Sequence, residues 1–264
     1  MAGYPQGVSV SGNGAHRPRP GGEPGSGWDD RLPDGEARLV VFFRALAPGR
    51  VKSRLAAELG SRTACGLYRA MLEDMAAHLA ILLANMPRIQ ILPFADRRAP
   101  ATLLFWPEAH IQNGATLAER MRNAFDLCFA SGSGPVLLIG TDIPGLTWDV
   151  LLELLTSLAT HEGCIGPAAD GGYYAIGFTR DAYRPEALTE AADPGDGETE
   201  LFRTASRLMA AAGARVHHGP VLQDVDTLRD LDRALRSMEV GPPSSQTSHL
   251  WNFVTKFRIL KQSE

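Results

Sequence analysis

Leu137-Leu-Ile-Gly-Thr-Asp-Ile-Pro-Gly-Leu146 decides how this chain is read. It begins inside an apolar run, Pro135-Val-Leu-Leu-Ile139, of the length and composition of a strand buried on both faces. Such strands belong to parallel sheets covered by helices on each side. The run ends in Gly140, Thr141 and Asp142, with Pro144 just beyond, so the strand stops there. Ligands of open α/β sheets bind outside the carboxyl ends of strands, and that is where Asp142 stands.

On both sides of this stretch, strand and helix patterns alternate. Upstream, Arg38-Leu-Val-Val-Phe-Phe43 is a β-branched and aromatic run closed by Ala47-Pro48-Gly49, which predicts a buried first strand. Residues 61–84 place Leu67, Met71, Met75, Leu79 and Leu82 or Leu83 near helical spacing, predicting a long amphipathic helix. A second strand is expected over 88–94 and a helix over 116–130. Downstream, a helix over 148–159, strands over 164–167 and 173–178, a helix over 199–212 and a last helix through Leu228, Leu231 and Leu235 follow. The alternation predicts an α/β fold, a mainly parallel sheet with helices on both faces.

Three regions are expected. Residues 1–37 hold nine Gly and five Pro with almost no apolar periodicity, the composition of a disordered tail; the basic cluster His16-Arg-Pro-Arg19 within it reads as solvated charge. Residues 38–239 form the folded domain. Residues 240–264 are a linker, opened by Gly241-Pro-Pro-Ser-Ser, and an amphipathic helix in which Leu250, Phe253, Val254, Phe257 and Leu260 make one apolar stripe. That stripe has to dock: on the body of the chain, on a second copy in a homodimer, or on a membrane surface.

The 264 residues are 44% hydrophobic and 21% charged, in the ordinary globular range, and a formal charge of -4 argues against a nucleic-acid polymer as partner. Cys65, Cys128 and Cys164 are widely spaced and lack any zinc-ligand pattern, so they read as reduced core thiols. No apolar run reaches the roughly 18 residues of a transmembrane helix. The first residues lack the pattern of a secretion signal, and a cytoplasmic location is the expectation.

Four stretches carry candidate chemistry. Asp142 is a hard-oxygen ligand suited to Mg or Mn, ions that complete their shells with water and substrate phosphates; its alternative, capping the helix that starts near Thr147, fits poorly because Thr147 is better placed. Gln223-Asp-Val-Asp-Thr227 would put Asp224 and Asp226 on one face if extended, where they need a cation nearby, and Asp226 or Thr227 could instead cap the next helix. Asp226 is the expected metal ligand, with Asp224 supporting it. Arg44-Ala-Leu-Ala-Pro-Gly-Arg-Val-Lys-Ser-Arg54 gathers Arg44, Arg50, Lys52 and Arg54 around Pro48 and Gly49 before a helix, a candidate cradle for a diphosphate or simply an exposed basic turn. It is neither a Walker loop nor a GxGxxG fingerprint. Gly166-Pro-Ala-Ala-Asp-Gly-Gly-Tyr-Tyr174 sets Asp170 beside Gly171 and Gly172, either a ligand-facing loop or a plain hairpin turn, with Tyr173 and Tyr174 on opposite faces.

Together these stretches resemble the bacterial DUF2064 family of glycosyltransferase A (GT-A) fold proteins, some of which are termed arsenosugar biosynthesis glycosyltransferases. The resemblance spans residues 38–236. It rests on Pro48-Gly-Arg-Val-Lys-Ser-Arg-Leu55, Leu67-Tyr68 with Asp74, Leu117-Ala-Glu-Arg-Met121, Gly140-Thr-Asp-Ile-Pro144, Gly166 to Tyr174 and Asp224-Val-Asp-Thr227. The family looks related to 2-phospholactate guanylyltransferases and molybdenum-cofactor nucleotidyltransferases. Arg44 stands where the family pattern leads one to expect Lys, and Asp193-Pro-Gly-Asp-Gly-Glu-Thr199 replaces an expected Trp-Ser-Thr stretch.

The resemblance implies a three-layer nucleotide-diphospho-sugar transferase fold. It implies a nucleotide sugar or nucleoside triphosphate held by Arg44, Pro48, Gly49, Arg50, Lys52, Arg54 and Thr141, and a divalent metal, Mg or Mn, on Asp142, Asp226 and Asp224. Asp170 and Asp142 are then the catalytic residues, with Gly171, Gly172 and Tyr173 toward a small-molecule acceptor. Glycosyl transfer is the leading expectation. Nucleotidyl transfer with release of pyrophosphate is the alternative, and a non-catalytic nucleotide-binding adaptor is a third.

Overall fold

A computed structural model describes residues 36–98, 106–132, 134–188, 201–240, 248–257 and 259. The expected disordered tail, the 193–199 stretch and most of the expected linker fall outside them; Ala37, expected in the tail, pairs with Ile89 and opens the first strand.

The elements run β1 (Ala37–Phe43), α1 (Ser53–Leu59), α2 (Ser61–Asn85), β2 (Ile89–Ala95), β3 (His110–Ile111), α3 (Leu117–Ser131), β4 (Val136–Gly140), α4 (Trp148–Ser157), β5 (Gly163–Pro167) and β6 (Tyr173–Phe178). A 3-10 turn (Pro185–Ala187), α5 (Leu201–Ala211), β7 (Val216–His218), α6 (Leu228–Val240) and α7 (His249–Phe257) complete the chain. The strands form one sheet in the order β3-β2-β1-β4-β6-β5-β7. β1 is parallel to both β2 and β4, and β5 to β7, whereas β6 runs antiparallel between β4 and β5. This is the expected mainly parallel α/β sheet, with one reversed strand where the sequence left a hairpin open.

Strand β1 shows why the sheet needs cover on both faces. Leu39, Val41 and Phe43 join a core with α1, α2, α4, α6 and α7, while Val40 and Phe42 join a second core with α3, α5 and the 3-10 turn. The period-two alternation of an all-apolar strand therefore feeds two layers. At about 25 cal/mol per Å² of apolar surface removed from water, these two cores supply the main driving force for the architecture.

Local signals fix the helix ends. Thr116 accepts from the Glu119 N–H while the Glu119 carboxylate accepts from the Thr116 N–H, a reciprocal capping box opening α3. Thr147 is the N-cap residue of α4, although its hydroxyl donates to Asp149 rather than capping a backbone N–H. All three cysteines are unpaired, with Cys128 and Cys164 buried.

α7 lies on α2 of its own chain. Leu250 and Val254 are buried in the first core, and Phe253 rests on Gly66, where a Cβ would stand 2.7 Å from the ring. Asp74 on α2 accepts from the His249 and Leu250 N–H groups at 2.6 and 3.0 Å, closing the start of α7. Leu250 and Val254 of the apolar stripe thus dock on the body of the chain, while Phe257 stays half exposed. Among the described residues, no helix is long and apolar enough to cross a membrane.

Candidate functional site

The site forms where β1 and β4, neighbours in the sheet, release their chains at their carboxyl ends. The Arg44 N–H, just past β1, donates to Tyr68 Oη at 2.9 Å. Tyr68 Oη lies 2.9 Å from Thr141 Oγ1, which reaches the Phe42 carbonyl at 3.4 Å. With Tyr68 accepting from Arg44, the consistent direction is Tyr68 donating to Thr141 and Thr141 to Phe42. Burial is the largest cause holding the Tyr68 phenol far above its ordinary range, followed by the nearby Asp142 charge. It stays a neutral donor.

On this platform lie the charges. Lys52 precedes α1 with φ 50° and ψ 55°, the single described non-glycine residue at positive φ. That left-handed turn between buried Val51 and α1 sends its side chain inward. Lys52 Nζ is 3.1 Å from Asp142 Oδ1 and 3.1 Å from Asp226 Oδ1, with only 3% of its side chain exposed. The two carboxylates keep 47% and 42% of theirs. Arg54 approaches Asp226 Oδ2 at 3.9 Å, and the Lys52 ammonium lies 5.9 Å over the Tyr68 ring.

Asp226 arrives from the far end of the sequence through backbone pairing. Leu222 bridges to Ala168 beyond β5, and the Val225 N–H donates to the Asp142 carbonyl at 3.1 Å. Thr227 and Asp230 cap α6 reciprocally: the Asp230 N–H donates to Thr227 Oγ1 at 3.2 Å and the Thr227 N–H to Asp230 Oδ2 at 2.9 Å. Of the two capping candidates, Thr227 takes the role and Asp226 turns to Lys52.

The resulting pocket, about 240 Å³, is lined by Arg44, Val51, Lys52, Ser53, Arg54, Tyr68, Asp142 and Asp226. Three cations thus face two carboxylates. Thr141 lies beneath, its hydroxyl spent on Tyr68 and Phe42. Pro48, Gly49 and Arg50 form an exposed turn, closed by the Arg50 N–H on the Ala47 carbonyl, and do not reach the lining. Asp170 tops the β5–β6 hairpin, which closes through the Gly171 N–H on the Ala168 carbonyl, with Gly171 at φ 95°; its carboxylate accepts from the Gly172 N–H at 2.9 Å. The hairpin reading of this stretch is what the structure has. Tyr173 packs against the second core and reaches Met121 Sδ at 4.0 Å.

Asp224 does not join Asp142 and Asp226 around one point. Its Oδ1 accepts from Gln223 Nε2 at 3.2 Å, and among the described residues no three acid, His or Cys side chains gather into a metal cage. Burial, then the charges of Asp170 and Asp226, push its carboxyl up to about 6. The donor set that does fit a cation is the Asp142 and Asp226 pair, since it already grips an ammonium. A Mg or Mn ion, which takes one or two carboxylates and fills its shell with water and phosphate, matches that pair.

Tyr68, Val51 and Ser53 are lining residues that the sequence reading did not place here. Tyr68 recurs with the apolar face of α2, so its spacing reads as core. The unused signal is its hydroxyl, which a buried tyrosine has to satisfy.

The sheet has the nucleotide-diphospho-sugar transferase fold, and its similarities place the chain among enzymes of the transferase class. A crystal structure of a candidate nucleotide-diphospho-sugar transferase from Desulfovibrio desulfuricans G20 is similar at 28% identity and a TM-score of 0.76, over 86% of this chain and 97% of that one. The resemblance to DUF2064 holds: that family model, described as an uncharacterized protein conserved in bacteria, matches residues 94–192. Among curated proteins, nothing matches the chain. More distant folds include 2-C-methyl-D-erythritol 4-phosphate cytidylyltransferase from Thermus thermophilus, at 15% identity and TM-score 0.43 over 76% of this chain and 98% of that one. Another is Rv0371c from Mycobacterium tuberculosis H37Rv in complex with manganese, at 17% identity and TM-score 0.44 over 76% and 99%.

Proposed function

We propose that the protein is a metal-dependent transferase that takes a nucleotide-activated donor and transfers its glycosyl group to a small-molecule acceptor. The observation that carries this reading is the convergence of Lys52, Asp142 and Asp226, with Arg44 and Arg54, at the carboxyl ends of β1 and β4. Two carboxylates with cations on their flanks suit a diphosphate accompanied by a divalent ion.

In this reading Asp142 and Asp226 hold Mg or Mn, and the ion supplies charge neutralisation for a departing nucleoside diphosphate. Arg44 and Arg54 bind its phosphate oxygens. Tyr68 does not react; it fixes the carboxyl ends of β1 and β4 so that Arg44 and Asp142 keep their spacing, and preorganisation of this kind lowers the cost of meeting new charge. Asp170, exposed at the hairpin tip with Gly171 and Gly172, is assigned to the acceptor side, where it orients a hydroxyl or takes its proton. A cytoplasmic location belongs with this reading.

The test is thermal melting against a panel of nucleoside diphosphates, triphosphates and nucleotide sugars, with and without Mn. A ligand at 100 times its Kd adds about 2.7 kcal/mol of stability. Metal-dependent stabilisation by a nucleotide sugar, followed by release of the nucleoside diphosphate on turnover, is the expected result. Pyrophosphate as the product would replace glycosyl with nucleotidyl transfer, stabilisation without turnover would favour a nucleotide-binding adaptor, and no response across the panel would overturn the transferase reading.

A further inference from the structure

Lys52 is unusual within its own sequence. Of the 26 basic residues only three are lysines, Lys52, Lys256 and Lys261, and every other one is arginine. Yet the cation drawn into the pocket and shielded from water between two carboxylates is a lysine. Arginine would grip a carboxylate with two parallel N–H bonds in a fixed fork, whereas an ammonium is a compact point charge on a flexible stem. The site combines near-complete burial of the cation with half-exposed anions, so it opens toward solvent on the carboxylate side. The left-handed backbone at Lys52 is a further sign of a side chain aimed with conformational strain.

We infer that Lys52 is the resident counter-ion of the Asp142 and Asp226 pair, and that its ammonium and a divalent cation compete for the same two carboxylates. Without nucleotide, the ammonium keeps the pair neutralised and the ion binds weakly. When the ion takes the carboxylates, the displaced ammonium is left without an anion in a pocket that also holds Arg44 and Arg54, and a diphosphate is the anion that satisfies it. Metal and nucleotide then favour one another's binding, and by linkage the coupling is equal in both directions. The competing ion is identified from the transferase reading above; the competition follows from the geometry alone.

The experiment is Mn binding by electron paramagnetic resonance of free Mn, without nucleotide, in wild type, Lys52→Met and Lys52→Arg, each checked for folding by circular dichroism. Lys52→Met should bind Mn tighter on the order of 10-fold, and Lys52→Arg, which keeps a cation and a stronger clamp, more weakly than wild type. Loss of Mn binding in the Asp142→Asn, Asp226→Asn double variant should place the ion. A parallel measurement on wild type guards against a misfolded variant: with Mn, amine acylation of Lys52 by an acetylating ester should rise relative to Lys256, read by peptide mass spectrometry. Equal Mn affinity across the lysine series, Mn binding that survives the double variant, or Lys52 acylation insensitive to Mn would each overturn the competition. Those results with nucleotide turnover intact would leave the transferase reading standing, whereas the expected order of affinities with no nucleotide effect would reject the transferase and keep the competition.

Discussion

Tyr68 Oη and Thr141 Oγ1 meet at 2.9 Å, and that bond ties helix α2 to the carboxyl end of β4. The same phenol receives the Arg44 N–H, so one side chain holds together the two strand ends that frame the pocket. Tyr68→Phe leaves the Arg44 N–H and the Thr141 hydroxyl without this partner. Such a loss costs about 1–3 kcal/mol, with no cavity added. Urea denaturation should show a lower midpoint at unchanged m-value. A variant as stable as wild type would show that water replaces the phenol without cost.

Asp142→Asn separates the chemistry from the fold. Lys52 keeps Asp226 at 3.1 Å, and Asp142 is half exposed, so the variant should melt near wild type. Turnover should fall on the order of 10²-fold or more, the scale for removing one electrostatic stabiliser of a transition state. The check is a steady-state rate at saturating Mn beside a thermal melt. Wild-type activity would remove Asp142 from the machinery.

The fold was legible in sequence where a single element carries its own signal. The apolar runs of β1 and β4, the long stripe of α2 and the helix expected over 116–130 each state their structure locally. β3 and β7 escaped because two or three residues, His110–Ile111 and Val216–His218, show no periodicity; they are strands only because β2 and β5 offer edges to pair with. The reversal of β6 was left open for another reason: the Asp170-Gly171 turn is read as a hairpin or as a loop over a ligand.

The site was half legible. Strand-end position marked Asp142, the basic loop Lys52 and the alternating acidic stretch Asp226, but that the three share one point depends on contacts spanning 174 residues, which no local pattern encodes. Arg50 and Lys52 show the limit: two residues apart in one basic loop, one is exposed in a turn and the other buried between carboxylates. The deciding factor is the single left-handed residue at Lys52, invisible to composition.

On the far edge of the sheet, Glu162 grips Arg215 through Nη2 at 2.7 Å and Nε at 3.1 Å, and accepts the Arg215 N–H at 2.8 Å. These bonds, led by the side-chain pair, pull the Glu162 carboxyl down to about 2. A carboxylate whose folded pKa is depressed stabilises the fold above its unfolded pKa, and that stabilisation is lost as pH falls through the window down to the folded value. Between about pH 4.3, the ordinary glutamate value, and pH 2, wild type should therefore lose stability that Glu162→Gln never had. Melting curves for the two proteins should converge as the pH drops through this window. Because the pair is exposed, added salt should shrink the difference at neutral pH, and parallel curves through acid would place the linkage elsewhere.

Helix α7 is tied at its start to α2. Asp74 accepts the first two amides of this helix from a neighbouring helix, doing across space what an N-cap residue does within a chain. Asp74→Ala should cost about 1 kcal/mol, as cap removals do, lowering Tm by about 2–4 °C for a chain of this size. Asp74→Asn, which keeps one acceptor oxygen, should fall between. The loss should be local: Leu250 and Val254 still have their seat on α2, so hydrogen exchange should quicken in α7 and leave β1 and β4 protected. If α7 exchange and Tm are both unchanged in Asp74→Ala, the helix is held by its apolar face and by Ser248, whose Oγ accepts the Trp251 N–H at 3.0 Å, and the two hydrogen bonds to Asp74 add no net stability over those the amides make with water.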